Sequence, residues 1–286
     1  MDQEMHQSSD NHFIPMTSVS SGKGREVAPD IYYYTNQIVN VIFIGTPGTG
    51  NWAMIDAGMP SSGEELVAVA EARFGKGAKP AAILLTHGHF DHVGSIVHLI
   101  EAWQVPVYAH PLEMPYLTGE LDYPVPDASV EGGLLAKIAM LYPHKAINIT
   151  AALSPLPADG SVPFLPGWQW IHVPGHAPGQ VAYFREQGRV LIAADAFVTV
   201  RQDSLYKVLF QKEEVNGPPR YLTTDWAAAR ASVERLHALQ PEVAITGHGT
   251  AMAGAELKEG LSRLVTEFDT VALPDYGRFV DGDQGD

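Results

Sequence analysis

Residues 86–92, Thr-His-Gly-His-Phe-Asp-His, set His87, His89 and His92 and the carboxylate of Asp91 directly behind the apolar run at residues 81–85. An apolar run of that length reads as a buried strand, and residues 94–103 behind the cluster repeat Ile96, Leu99, Ile100 and Trp103 at helical spacing. The four polar side chains therefore stand where a strand turns into a helix, a place that carries function more often than packing. Protonated imidazoles so close together would repel. Neutral imidazoles with one carboxylate suit zinc, iron or manganese better than calcium. The chain contains no cysteine, which excludes disulfides, thiolate ligands and thiol nucleophiles, so any metal rests on nitrogen and oxygen.

Three further segments place a histidine or a carboxylate at the end of an apolar run beside small residues. They are His176 in Val-Pro-Gly-His-Ala-Pro-Gly, Asp195 in Ala-Ala-Asp-Ala, and His248 in Thr-Gly-His-Gly. Each alone reads as readily as a structural feature. Together with residues 86–92 they occupy the same kind of position, as a convergent site requires. A lone carboxylate such as Asp195 after a buried strand needs a cation or strong donors.

The chain is long enough, at 286 residues with 45% hydrophobic content, to bury a large core, and disorder over most of its length is excluded. Residues 31–46 and 52–56 read as antiparallel strands joined through Pro-Gly-Thr-Gly, and 61–74 as a helix. Strands follow at 168–173, 181–184 and 190–194. A helix over 225–239, a strand at 243–246 and a helix over 256–268 complete the pattern. Between 110 and 166 nine prolines punctuate the chain around one helix-like island at 134–142, which suggests an insertion over the core. We expect a flexible arm over 1–25, one domain over 26–275 and an acidic tail over 276–286. Lys plus Arg total 18 against 33 Asp plus Glu, a net charge of −15 that disfavours nucleic acid as a partner. No basic start precedes an apolar block and no apolar run approaches the ~18 residues of a membrane span, so a cytoplasmic location is expected and a membrane partner is not.

With these motifs in place the sequence resembles the metallo-β-lactamase superfamily of metal-dependent hydrolases, from about residue 31 to the helix after His248. The resemblance implies an α+β fold, a four-layer αββα sandwich, with the Pro-rich insertion near the active site. It makes His87, His89 and His176 the ligands of one ion, Asp91, His92 and His248 those of a second, and Asp195 their bridge. Asp56, in Met-Ile-Asp-Ala-Gly, matches the family's early aspartate that supports the ligand loop. Two divalent ions per chain are implied, zinc first, with iron and manganese open. Departures narrow the choice: β-lactamases of this fold generally lack a bridging aspartate, and the tyrosine of certain lactonases falls on Val198. Glyoxalase II ends in a basic segment, whereas this chain ends in an acidic one.

The implied chemistry is attack by a metal-bridging hydroxide on an ester, lactone or thioester of a small molecule, with Asp91 as the catalytic proton carrier. Met114, Tyr142 and Tyr206 are candidate substrate contacts, although core packing explains any one of them as well. Iron-dependent oxygen or sulfur redox enzymes of the same fold are the alternative, and a non-catalytic, metal-stabilised binding module is the third reading. A homodimer is an arrangement that relatives adopt.

Overall fold

A computed structural model describes residues 4–14, 16–131, 139–200 and 214–280. The chain forms two compact units, Met1–Pro124 with Pro143–Pro166, and Val125–Tyr142 with Gly167–Asp286. The Pro-rich stretch thus contributes to both units.

The first unit is built on a seven-stranded sheet in the order β1 to β7. Strands β1 (Lys23–Ala28), β2 (Ile31–Asn36), β3 (Val39–Ile44) and β4 (Ala53–Ile55) form an antiparallel meander. Residues 31–46, which read as one β-rich run, fold as the hairpin of β2 and β3. The reversal falls at Gln37, whose φ of 58° opens a tight turn, and Thr35 Oγ1 donates to Asn40 Oδ1 across it at 2.9 Å.

Helix α1 (Gly63–Phe74) crosses to β5 (Ile83–Leu84), and α2 (Phe90–Val93) and α3 (Ile96–Trp103) cross to β6 (Val107–Ala109). A short helix α4 (Met114–Leu117) precedes β7 (Leu153–Pro155). Strands β4 to β7 run parallel, as crossover connections demand. Leu66 and Ala70 of α1 and Leu99, Ile100 and Trp103 of α3 pack on Phe43, Trp52, Met54, Ile83 and Val107 of the sheet side. Trp52 stacks on Phe74 at 4.3 Å and meets Trp103 edge-on at 5.9 Å. Each large side chain so buried contributes about 1.5–3 kcal/mol.

The segment expected as a flexible arm is hydrogen-bonded to this unit and supplies the start of β1. His6 pairs through its backbone with Asn148. Gln7 Nε2 donates to Val93 O at 3.0 Å. Asp10 Oδ2 accepts from the amides of His144 at 2.9 Å and Lys145 at 3.3 Å.

The second unit carries a five-stranded sheet. Its strands are β8 (Trp168–His172), β9 (Val181–Arg185), β10 (Val190–Ala194), β11 (Val243–Thr246) and β12 (Met252–Ala253), in the order β12-β11-β10-β9-β8. Only β10 and β11 pair in parallel. Helix α5 (Trp226–Ala238) lies between those two in sequence and starts at Asp225, whose side chain accepts from the Ala228 amide at 2.9 Å. Helices α6 (Gly254–Thr266) and α7 (Phe268–Val271) follow β12. Trp226, Val233 and Leu236 of α5 and Leu257, Leu261 and Leu264 of α6 form one core with Leu191, Ala193 and Ala244. The chain is therefore of mixed α+β class with two sheets. Among the described residues no helix is long and apolar enough to cross a membrane.

Candidate metal centre

In the first unit Asp56 organises the donor loop. It follows β4 with a φ of 62°, and its amide donates to Leu84 O at 3.0 Å, which ties it to the end of β5. Its carboxylate accepts from the Thr86 amide, from Thr86 Oγ1 and from His92 Nδ1, each at 2.8 Å. Three donors on one buried carboxylate hold its charge where an unbonded one would be costly. The Thr86 hydroxyl gives its hydrogen to Asp56, so its oxygen accepts from His87 Nδ1 at 3.0 Å. Both His87 and His92 thus carry their proton on Nδ1 and their lone pair on Nε2.

The rings of this loop are packed against one another. His87 meets His92 at 4.2 Å between centroids and His89 edge-on at 4.6 Å. His89 is the residue before α2, and Asp91 and His92 lie within that helix, with Asp91 Oδ2 3.9 Å from His92 Nε2. All four side chains are buried.

In the second unit the donors come from three separate strand ends. His176 follows β8, and its Nδ1 lies 3.1 Å from Thr223 Oγ1, which itself donates to Pro219 O at 2.8 Å. The ring therefore donates through Nδ1 and again presents its lone pair at Nε2. Gly175 allows this approach: its φ is 129°, and a Cβ there would stand 2.3 Å from the Ala229 amide nitrogen of α5. Asp195 follows β10, where the register with β11 shifts and Ala194 takes a φ of 50°. An alanine in that region costs about 1–2 kcal/mol, which the surrounding sheet holds in place. Asp195 Oδ2 lies 3.2 Å from His248 Nε2 and 3.5 Å from His176 Nε2. The His248 carbonyl, just past β11, accepts from Thr246 Oγ1 at 2.7 Å and from Thr199 Oγ1 at 3.2 Å.

The donor set fits a divalent transition ion. Buried imidazoles with Nδ1 committed to protein acceptors and Nε2 turned toward carboxylates are what nitrogen-and-oxygen metal sites contain. Each unit gathers its own donors, His87, His89, Asp91 and His92 in one and His176, Asp195 and His248 in the other.

The insertion supplies two residues that sequence reading did not assign to this loop. Glu113, fully buried, accepts from the Gly88 amide at 2.8 Å and from the Tyr123 hydroxyl. Burial, and then the neighbouring Glu113 carboxylate, push the Tyr123 hydroxyl well above its usual pKa, so it stays a donor. Of the proposed substrate contacts, Met114 is half-buried on α4 in the first unit. Tyr142 is buried in the second and packs edge-on against Tyr221 at 5.7 Å. Tyr206 lies outside the described residues, as does most of the helix-like island at 134–142. His98 is exposed on α3, His237 stands near Ser262 at 3.2 Å, and His172 bonds Pro178 O at 2.8 Å.

Comparison with known proteins agrees with this reading. Residues 34–248 match the family model of the metallo-beta-lactamase superfamily. The chain is 46% identical over 260 residues to the probable metallo-hydrolase YflN of Bacillus subtilis, covering 91% of this chain and 98% of that protein. The probable metallo-hydrolase YybB of the same organism is 30% identical over 170 residues, 59% of this chain and 64% of that one. Among solved structures, TTHA1623 in a di-iron-bound form is 31% identical with a TM-score of 0.51, covering 75% of this chain and 89% of that one. A Cronobacter sakazakii metallo-beta-lactamase shares the fold at a TM-score of 0.57 and 19% identity, covering 88% and 92%. With the family model spanning both donor arrays and a relative matched over nearly its whole length, the chain belongs to the metallo-beta-lactamase superfamily and to its metal-dependent hydrolases.

Proposed function

We propose that this chain is a dinuclear hydrolase of small-molecule esters, lactones or thioesters. His87, His89 and His176 would hold one ion and Asp91, His92 and His248 the other, with Asp195 as the carboxylate available to both. The observation that carries the reading is the repeated lock on Nδ1 in His87, His92 and His176, which leaves Nε2 as the ligand atom in all three. When bound, the ions supply Lewis acidity and a water acidified toward neutrality.

Asp91 takes up the proton released during attack at a carboxylate oxygen and passes it to the leaving group. Asp91 and Asp195 would offset only part of the charge that two divalent cations would bring, so the centre would favour the oxyanion that develops at an acyl carbon despite the acidic chain. Acyl substrates need the least equipment beyond these groups. Zinc suits the donor set, and the di-iron form of TTHA1623 gives iron equal standing.

Metal analysis of the purified protein combined with an ester, lactone and thioester panel tests the proposal. About two ions per chain are expected, with hydrolysis lost on chelation and restored by one metal. Hydrolysis indifferent to chelators overturns the reading. Iron with oxygen consumption replaces it by the redox reading, and full loading without turnover on any substrate replaces it by a binding module.

A further inference from the structure

The Thr86–His92 segment is anchored twice. Asp56 holds it at Thr86 and His92, as the ligand loops of this superfamily lead one to expect. A second anchor comes from the Pro-rich stretch and grips the loop between two of its donors. The Gly88 amide lies 2.8 Å from Glu113 Oε2 and 3.0 Å from Tyr123 Oη, and the Tyr123 hydroxyl donates to the same Glu113 oxygen. Gly88 separates His87 from His89 in the chain, so holding its peptide sets where both rings depart from the backbone.

The arrangement is closely fitted. A Cβ on Gly88 would come 2.9 Å from Tyr123 Oη and 3.2 Å from Leu117 Cδ2, so any side chain there would push the Tyr123 hydroxyl off its present contact. The Tyr123 ring lies 4.5 Å from the His89 ring and stacks on Tyr116 at 4.0 Å and 10°. Its amide donates to His144 O at 2.9 Å. Glu113 is delivered by the short turn Pro111–Glu113 directly after β6 and is shut off from solvent. A carboxylate in such a place is costly unless its donors are fixed, so the fold retains it for what it holds.

We infer that Glu113 and Tyr123 are positioning residues for the metal loop, fixing the His87–Gly88–His89 backbone at a point in the chain between the two attachments to Asp56, at Thr86 and His92. The inference rests on the metal-site reading above. The clamp acts on ligand geometry before any substrate arrives, so its signature belongs to metal binding itself.

The test measures zinc affinity by chelator competition and the visible spectrum of the cobalt(II)-loaded protein, alongside the thermal midpoint of the metal-free chain. Removing the acceptor in Glu113→Ala is expected to weaken zinc binding about 10–100-fold, the range for outer-shell partners of ligands, and to change the cobalt spectrum. Glu113→Gln keeps an acceptor for Gly88 and is expected to recover most of the affinity that Glu113→Ala loses. Tyr123→Phe keeps the ring against His89 and loses the hydroxyl, and is expected to shift the cobalt spectrum. It carries the test if Glu113→Ala does not fold.

Wild-type zinc affinity and an unaltered cobalt spectrum in both Glu113→Ala and Tyr123→Phe, or in Tyr123→Phe alone if the former does not fold, overturn the inference and leave the metal-site reading standing. A wild-type protein that takes up no metal overturns both.

Discussion

His92 Nδ1 stands 2.8 Å from Asp56 Oδ2, and the same carboxylate holds the amide and hydroxyl of Thr86. One side chain thereby sets the start of the donor loop and the tautomer of a donor five residues beyond His87. Replacing Asp56 with Ala is expected to weaken metal binding about 10–100-fold and to destabilise the metal-free chain by about 1–3 kcal/mol, because buried donors lose their acceptor. Chelator competition and denaturant unfolding read the two effects separately.

His89→Ala and Asp195→Ala each remove a proposed ligand rather than its support. Hydrolysis is expected to fall by more than about a hundredfold, the upper end of what outer-shell changes cost, while far-ultraviolet circular dichroism stays that of the folded chain. Metal content per chain is expected to drop below that of wild type. Full activity in either variant would remove the residue from the proposed ligand set.

Gly175 adopts a φ of 129° with its hydrogen side facing the Ala229 amide. An added methyl forces the loop before His176 away from α5. Gly175→Ala is expected to destabilise the chain by about 1–3 kcal/mol, as overpacked sites do, and a calorimetric midpoint several degrees below wild type checks it.

Acid should loosen the N-terminal contact. Burial works to raise the pKa of Asp10, yet bonds from Ser8, the amides of His144 and Lys145 and the charge of His144 together bring it below its ordinary 3.8. A carboxylate lowered by folding stabilises the native state above that value, and the stabilisation is lost as pH falls through the folded pKa. The thermal midpoint of wild type is expected to fall more steeply than that of Asp10→Asn between about pH 5 and pH 3. Parallel curves for the two proteins would contradict this.

What sequence could show depended on how locally each feature is specified. The donors at 87–92 follow one another in the chain, and a strand-to-helix turn can be read around them. His176, Asp195 and His248 were visible because small residues flank each at the close of an apolar run. Glu113 carries no such mark. It lies between two prolines, and its partner Gly88 is 25 residues upstream, so only the path of β6 and the turn after it joins them. Strand β7 was equally hidden, since Leu153–Pro155 shows no alternation and becomes a strand through its pairing with β6. Gln37 concealed a hairpin because a non-glycine residue takes the left-handed turn there.

Chain order gives the two donor arrays different histories. His87 to His92 emerge from the ribosome together, and Asp56 has already preceded them, so that half can organise from neighbours in sequence. His248 and Asp195 meet only when β11 has paired beside β10, across the whole of α5. Such distant closure is slow by nature. A nascent or truncated chain lacking β11 therefore presents the side chains of residues 87–92 before His248 can stand beside Asp195.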